Sequence, residues 1–278
     1  MKAATGIGIV IACVGLLLGA SMEGTPLGSL FNVPAIIIIF GGLAGATLAS
    51  VGMEGMKLIP TLYKKVLNAE RPEMRRQVDD LVGYAERARR DGLLALEEEL
   101  EEVDDAYTRK GLQLVVDGTP PDMVKDILEA EVHGMRARHK SGTKVFESAG
   151  GFAPTMGVLG TVMGLISALQ KLDQPETLGP AISGAFIATL LGVGAANLVL
   201  LPVALRLKQL SEAEVQARVL VLEGILAIQS GDNPRVIEEK LISFVPPDER
   251  DAEPEPEPAA DGAGGPQLKA VDDEAMAA

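Results

Sequence analysis

Residues 150–169 read GGFAPTMGVLGTVMGLISAL and contain no Asp, Glu, Lys or Arg. A helix rises about 1.5 Å per residue, so about 20 apolar residues cross the hydrocarbon core of a bilayer. A second charge-free stretch, LGPAISGAFIATLLGVGAANLVLLPVAL, follows at about 178–205. The two stretches therefore predict two transmembrane helices that are joined by a short loop.

Two more charge-free stretches lie near the N-terminus, at about 3–21 and 33–52. A cleaved signal peptide would account for the first stretch alone, but that stretch is long for a signal sequence and a second span follows almost at once. The sequence therefore predicts an all-α integral membrane protein with four transmembrane helices and a helical cytoplasmic domain.

The positions of Lys and Arg predict the orientation of these spans. Basic residues follow the second span, precede the third and follow the fourth: Lys57, Lys64, Lys65, Arg136, Arg138, Lys140, Lys144, Arg206 and Lys208. The short loop at 22–32 has no Lys or Arg, and the loop around Asp173 has only Lys171. Because positive charges are retained in the cytoplasm, both termini and the long middle segment are expected to be cytoplasmic.

Composition divides the chain into five parts. They are a first transmembrane pair, a cytoplasmic helical domain, a second transmembrane pair, C-terminal cytoplasmic helices and a disordered acidic tail, at 1–52, 53–149, 150–207, 208–247 and 248–278. The tail consists mostly of Pro, Glu, Asp, Ala and Gly, and such a composition cannot bury enough apolar surface to fold.

Local signals predict where the helices of the cytoplasmic domain begin and end. We expect one helix at 73–90, a break at Gly92 and further helix at 93–103. The sequence Thr-Pro-Pro-Asp at 119–122 is typical of a helix start, with Thr119 as the cap.

The fourth span is expected to continue as one cytoplasmic helix to about Ser230. Gly231 suits its C-terminal cap. Asn233 and Pro234 then favour a short helix that ends at 246–247.

Composition and motifs argue against several classes of function. The formal net charge is −14, which argues against nucleic acid as a partner because phosphate binding needs basic patches. Cys13 is the sole cysteine, so the chain has no intrachain disulfide, and His133 and His139 lack the spacing of metal ligands. A P-loop and a nucleophile motif are also absent, so we expect neither an enzyme nor a bound cofactor.

Polar residues in the third and fourth spans suggest an ion pathway. Thr161 and Thr189 carry hydroxyls inside these spans, and Pro154 and Pro202 lie near their cytoplasmic ends. A membrane threonine often bonds the carbonyl four residues before it, and a proline can be a tolerated kink. Because ion-coupled membrane proteins usually carry an ionisable residue within the bilayer, the titrating carboxylate of such a pathway would have to come from another polypeptide.

Four segments carry a resemblance to one family. Residues 153–165 and 179–192 resemble the third-span and fourth-span signatures of MotA/PomA stator proteins of the flagellar motor, which belong to the wider MotA/TolQ/ExbB superfamily. Leu201-Pro202 completes that pattern, and residues 88–97 resemble the charged rotor-contact motif of the family. The resemblance extends to about Pro246.

The resemblance implies an assembly and a mechanism. Five copies of such a subunit surround two copies of a MotB/PomB-type partner, which supplies a membrane aspartate, in the bacterial inner membrane. Ion passage would turn the ring against the rotor switch protein. The implied roles are rotor contact for Arg89, Arg90, Glu97 and Glu98, coupling for Pro154 and Pro202, and lining of the pathway for Thr161 and Thr189. Without the resemblance, the rotor-contact charges would be interpreted as a solvated face with a Glu86–Arg90 pair.

The transported ion is expected to be sodium rather than the proton. Sodium needs oxygen ligands, and sodium-type members of the family resemble this chain in carrying Thr at the position of Thr161, where many proton-type members carry Ala. Thr189 occurs in both types, and Ala188 differs from the second Thr of some sodium-type members.

Two other classes of protein are alternatives to the stator. An ExbB/TolQ-type energising subunit would resemble the last two spans but normally has three spans. A non-conducting membrane scaffold would need Thr161 and Pro154 for packing alone. The N-terminal pair of spans and the charged motif at 88–97 favour the stator.

Overall fold

A computed structural model describes residues 4–68 and 72–250, and every regular element in these two ranges is helical. The α-helices are α1 Ala4–Met22, α2 Val33–Ile36, α3 Gly42–Asn68, α4 Met74–Asp91, α5 Ala106–Val116, α6 Pro121–Leu169, α7 Pro175–Gly194, α8 Leu201–Ser230, α9 Pro234–Ile242 and α10 Pro247–Arg250. Disorder is predicted for residues 248–278. Of these, 248–250 belong to α10, and the residues from 251 onwards lie outside the described ranges.

Four helical stretches are long and apolar enough to cross a membrane, as the sequence predicts. They are Ala4–Met22, Leu27–Asn68, Pro121–Leu169 and Pro175–Ser230, and their most apolar windows have mean hydropathies of 1.6 to 2.1. The prediction of an all-α protein with four spanning helices is therefore confirmed.

The second span combines three kinds of helical turn. A short 3₁₀ turn at Leu27–Leu30 leads into α2, where the Asn32 side chain accepts a hydrogen bond from the backbone N–H of Ala35 at 3.1 Å. A π-helical segment, Ile37–Gly41, joins α2 to α3. Within α3, Gly52 has φ 71° and ψ 177°. A positive φ of this kind is readily adopted only by glycine. Because these angles are not helical, Gly52 interrupts the helix near the predicted cytoplasmic end of the span.

The third and fourth spans continue far beyond the bilayer. Helix α6 is a single helix of 49 residues. Helix α7 is joined to α8 by a π-helical segment, Ala195–Leu200. At 1.5 Å per residue, α6 is about 70 Å long, more than twice the hydrocarbon thickness. The lower part of α6 and all of α8 beyond its first turns therefore lie in the domain below the membrane.

The cytoplasmic domain has one large apolar core. Helices α4, α5, α6, α8 and α9 surround it, and its fully buried side chains include Leu81, Leu96, Leu112, Leu128, Ile225 and Leu241. Because α6 and α8 also form the third and fourth spans, this core is continuous with the membrane part through two helices.

Two predicted features between α4 and α6 are wrong. Residues 93–103 form short 3₁₀ turns, Leu93–Glu97 and Glu99–Glu101, and not an α-helix. The segment is dense in glutamates, whose mutual repulsion disfavours an α-helix, and its buried leucines anchor it to the core. Thr119 does not cap α6: its N–H donates to Leu114 O at 3.0 Å, and Pro120 is the cap residue.

The C-terminal helices begin as the sequence predicts. Gly231 has φ 74° and closes α8, and the Asn233 side chain accepts a hydrogen bond from Arg235 N at 3.1 Å. Helix α9 ends at Ile242, however, and not at 246–247. Pro247 opens the short helix α10 instead, as a proline can at the first helical position.

Candidate functional site

The two predicted pathway threonines meet between α6 and α7. Thr161 Oγ1 lies 3.0 Å from Gly157 O and 2.9 Å from Ala185 O, and it hydrogen bonds to Thr189 Oγ1. A hydroxyl has one proton to donate and two lone pairs, so Thr161 can donate to one carbonyl while it accepts from Thr189. Four oxygen atoms thus gather at one point of the membrane part.

Small residues bring the two helices close enough for this contact. A Cβ atom on Gly192 would lie 2.6 Å from Ala153 O and 2.8 Å from Gly157 Cα. A Cβ atom on Gly164 would lie 2.9 Å from Ala185 Cβ. Close backbone approach through glycine and alanine is typical of membrane helix pairs, and here it sets the distance between the two hydroxyls.

The membrane part leaves many apolar side chains uncovered by the chain itself. On α6 and α7 they include Val158, Leu159, Val162, Met163, Ile166, Phe186 and Val193, and α1 has no buried residue at all. Lipid or other polypeptides must cover these faces, because large uncovered apolar patches are not stable in water.

The two prolines are not part of the hydrogen-bonded group around Thr161. Pro154 is seven residues before Thr161, about 10 Å along α6. Pro202 follows the π-helical segment and lines a cleft of about 280 Å³ between α1 and α8. Proline lacks the N–H that would bond Leu198 O in an α-helix, and the wider turns of the π segment occur at this place.

The four predicted rotor-contact residues are all exposed. Arg89 and Arg90 lie in the last turn of α4, and Glu97 and Glu98 lie at the end of the 3₁₀ turn that follows Gly92. Arg90 bonds its neighbour Asp91 at 3.0 Å, and not Glu86 as in the alternative interpretation of these charges. Glu98 bonds Arg87 at 2.8 Å. Within the described ranges, Arg89 and Glu97 have no ion-pair partner, which leaves one charge of each sign available to another protein.

Comparison with known proteins identifies the family. Residues 99–219 match the MotA/TolQ/ExbB proton channel family. Motility protein A of Bacillus subtilis (strain 168) is 41% identical over 248 residues, which cover 88% of this chain and 91% of that protein. The chain belongs to the MotA/PomA family of flagellar motor stator proteins.

Two further similarities support this membership. Chemotaxis protein PomA of Vibrio alginolyticus is 34% identical over 245 residues, covering 88% of this chain and 96% of that protein. The solved structure of the flagellar MotAB stator complex from Bacillus subtilis matches with a TM-score of 0.83 and 39% identity, covering 89% of this chain and 98% of that chain. The likeness therefore includes both the membrane and the cytoplasmic parts of a MotA/PomA-type fold.

Sequence analysis missed the ionic contacts between helices of this MotA/PomA-type chain, and two of them are close to the predicted rotor-contact residues or to the start of α5. Arg87 holds Glu98 and Glu99 from α4, and Arg218 of α8 bonds both carboxylate oxygens of Asp105 at 2.6 Å. Asp105 followed by Thr108 is a recognisable helix start, and Asp105 does accept from Thr108 N at 2.8 Å. Its distant partner, Arg218, has no local signal in the sequence.

A third polar contact lies where the cytoplasmic domain meets the membrane part. His139 Nδ1 of α6 lies 3.0 Å from Ser211 Oγ of α8. Lys65 of α3 bonds Glu214 of α8 at 3.5 Å. These contacts join three helices immediately below the spans, and among the described residues no group of three or more His, Cys, Asp or Glu is arranged to hold a metal ion.

Proposed function

We propose that this chain is the larger subunit of a sodium-driven flagellar stator, which converts ion flow into torque on the rotor. The contact between Thr161 and Thr189 carries the proposal. Their hydroxyls and the carbonyls of Gly157 and Ala185 place four oxygen atoms in spans that contain no charged side chain. Hydroxyl and carbonyl oxygens can replace the hydration water of a cation, whereas a proton needs no such ligands.

The pathway requires a second polypeptide. None of the four apolar spans supplies a carboxylate, and ion coupling usually depends on an ionisable group in the bilayer. A MotB/PomB-type subunit with a membrane aspartate would supply it, and a solved structure similar to this chain is that of a MotAB complex. The uncovered apolar faces of α6 and α7 fit the packing of several copies, expected to be five, around that partner.

The orientation follows from the basic residues below the spans. Lys64, Lys65, Arg206 and Lys208 would lie on the cytoplasmic side of the bacterial inner membrane, with both termini, by the positive-inside rule. The exposed Arg89, Arg90, Glu97 and Glu98 would then face the rotor switch protein, where exposed charges set orientation and association rate more than affinity. Pro154 and Pro202 would couple ion passage to movement of their helices.

The test of the ion is swimming speed in cells that depend on this chain and its partner for rotation. Speed should follow external sodium at fixed pH and persist when a protonophore is added. Thr161→Ala should lower the speed at limiting sodium, because it removes one of the four oxygens. Thr155→Ala is the matched control, since Thr155 is exposed in the same helix and bonds only Phe152 O within the described structure.

Three outcomes decide the proposal. Speed that ignores sodium and stops with the protonophore would make the stator proton-driven. An unchanged sodium response in Thr161→Ala would remove the role of the threonine pair. Failure of the unaltered chain and partner to restore rotation would reject the stator function itself.

The test of rotor contact is reversal of a single exposed charge. Arg89→Glu should reduce rotation without changing the amount of protein in the membrane. Lys125→Glu is the control, because Lys125 is an exposed basic residue on α6 and pairs only with Glu129 of its own helix among the described contacts, at 3.9 Å. Equal rotation in both variants would contradict the proposed contact.

A further inference from the structure

Arg218 and Asp105 form a charged contact between parts of the chain that are 113 residues apart. Arg218 Nη1 lies 2.6 Å from both Oδ1 and Oδ2 of Asp105. Asp105 also accepts hydrogen bonds from the N–H and the hydroxyl of Thr108, each at 2.8 Å. Charge-assisted hydrogen bonds of this kind are shorter and stronger than neutral ones.

The Tyr107 ring packs against the same guanidinium. The Arg218 guanidinium carbon lies 4.9 Å from the centroid of the Tyr107 ring, within the range of a cation–π contact. The Tyr107 side chain is buried, and its hydroxyl donates to Leu128 O of α6 at 3.3 Å. Arg218 is thus fixed to α5 by charge and stacking, and through Tyr107 to α6.

The contact lies at one end of the rotor-facing segment, which we define as residues 93–104. Asp105 directly follows this segment and caps α5. A second bond connects α5 to the segment, because Arg109 Nε donates to Val103 O at 2.9 Å. The segment is also tied to α4, where Arg87 bonds Glu98 and Glu99.

Of the Arg218 and Arg87 contacts, only the Arg218 contact involves a helix that continues a transmembrane span. Arg218 belongs to α8, which continues the fourth span without interruption from Leu201 to Ser230. Arg218 is sixteen residues after Pro202, so the two are about 24 Å apart along the helix axis. Arg87 belongs to α4, which ends in the cytoplasmic domain at both ends.

We propose that Arg218 and Asp105 are positioning residues that pass movement of the fourth span to the rotor-facing segment. The inference rests on the proposed stator function. The other contacts of α8 in this domain are largely apolar side chains of the core, such as Leu220 and Ile225, which make no directional bonds. A planar guanidinium bonded to a carboxylate and stacked on a ring fixes both distance and angle, so a shift of α8 must move Asp105.

Two other ion pairs provide matched controls. Lys240 bonds Glu223 at 2.5 Å and joins α8 to α9. Lys110 bonds Glu131 at 2.6 Å and joins α5 to α6. Each links a cytoplasmic helix to the cytoplasmic part of a spanning helix over a similar distance, but neither connects α8 to the rotor-facing segment. A general need for stable packing would affect these pairs as well as the Arg218 contact.

The experiment measures torque per stator unit on single motors. The full chain and its partner are produced gradually in cells without other stators, and each incorporated unit appears as a step in the rotation speed of a bead. Arg218→Gln and Asp105→Asn should each lower the step height by about two-fold or more, the range expected for loss of a coupling contact. The number of steps and the sodium flux should stay unchanged. Glu223→Gln and Glu131→Gln should keep the full step height.

Asp105→Asn should still fold, because asparagine retains the shape of the side chain and the capping bond to Thr108. A full step height in Asp105→Asn would overturn the proposal, and so would variants that reduce only the number of steps. A reduction of equal size in the control variants would also overturn it, because the effect would then be one of general packing. If the unaltered chain produced no steps, the stator function would be rejected before the coupling contact was tested.

Discussion

The membrane part and the cytoplasmic domain are packed by different means. In the membrane, α6 and α7 touch through Gly157, Gly164 and Gly192, and α1 buries no residue. In the cytoplasm, large side chains such as Leu96 and Leu128 fill a core that the chain covers by itself. Water drives burial of large apolar groups, whereas in lipid close backbone contact replaces that driving force. The core of the cytoplasmic domain is therefore covered by the chain itself, whereas the membrane part depends on lipid or other polypeptides.

The largest effect that tests this comparison concerns the cytoplasmic core. Leu96→Ala removes a fully buried side chain and should lower the free energy of unfolding by about 2–5 kcal/mol. Leu94→Ala, two residues away, removes a side chain that is 71% exposed and should change it by no more than about 0.5 kcal/mol. Chemical unfolding of the purified protein in detergent measures both. Similar losses would show that the domain is not packed around Leu96.

A substitution of the opposite kind tests the membrane part. Gly192→Ala adds one carbon that would meet the backbone of Ala153 and Gly157 at 2.6–2.8 Å. Such crowding should cost about 1–3 kcal/mol and lower the melting temperature in detergent. Gly194→Ala lies two residues on, where an added Cβ meets no atom of the described chain within 4 Å. A lower melting temperature for Gly194→Ala would indicate that another subunit packs at that position.

Two helix caps of the same residue type allow a direct comparison of the membrane part with the cytoplasmic domain. Asn32 caps α2 at the membrane part and Asn233 caps α9 in the cytoplasmic domain, and each accepts a backbone hydrogen bond at 3.1 Å. Replacing either by alanine should cost about 1 kcal/mol. Melting curves of Asn32→Ala and Asn233→Ala should show losses of similar size. A much larger loss at Asn32 would mean that its contact with Gly184 matters more than the cap.

The smallest predicted effect is on the pH dependence of stability, and it concerns the cytoplasmic domain alone. Burial of Asp105 opposes ionisation, but hydrogen bonds from Arg218 and Thr108 outweigh it, so the pKa of the carboxyl is lowered from its ordinary value of 3.8. The unfolded chain then binds the proton more readily, and stability rises with pH in this window. The contribution is complete above about pH 4 and is lost as pH falls through the lowered pKa.

Asp105→Asn should lack this part of the acid dependence, whereas Glu101→Gln, an exposed carboxylate in the same region, should retain it. Protease sensitivity of the cytoplasmic domain between pH 3 and 6 (roughly the range of carboxyl titration) measures the difference. Identical acid profiles for Asp105→Asn and the unaltered chain would contradict the predicted shift.

Features that local sequence determines were predictable, and features that depend on tertiary contacts were not. The four spans were predictable because a charge-free stretch of about 20 residues has few alternatives to a membrane helix. Start and stop signals at Asn233 and Gly231 were also local and proved correct. The 3₁₀ turns at 93–101 were not predictable, since their form depends on burial of Leu96 and Leu100 and on Arg87 from another helix.

The sequence by itself determined the number of spans, the Thr161 and Thr189 hydroxyls and the absence of charge around them. Whether those hydroxyls meet was decided by tertiary packing, because Gly157 and Gly192 let α6 and α7 approach until Thr161 reaches Thr189 and Ala185 O. The Arg218–Asp105 contact was decided in the same way. Local periodicity and charge act over a few residues, whereas a bond between residues 113 positions apart exists only once the helices have packed.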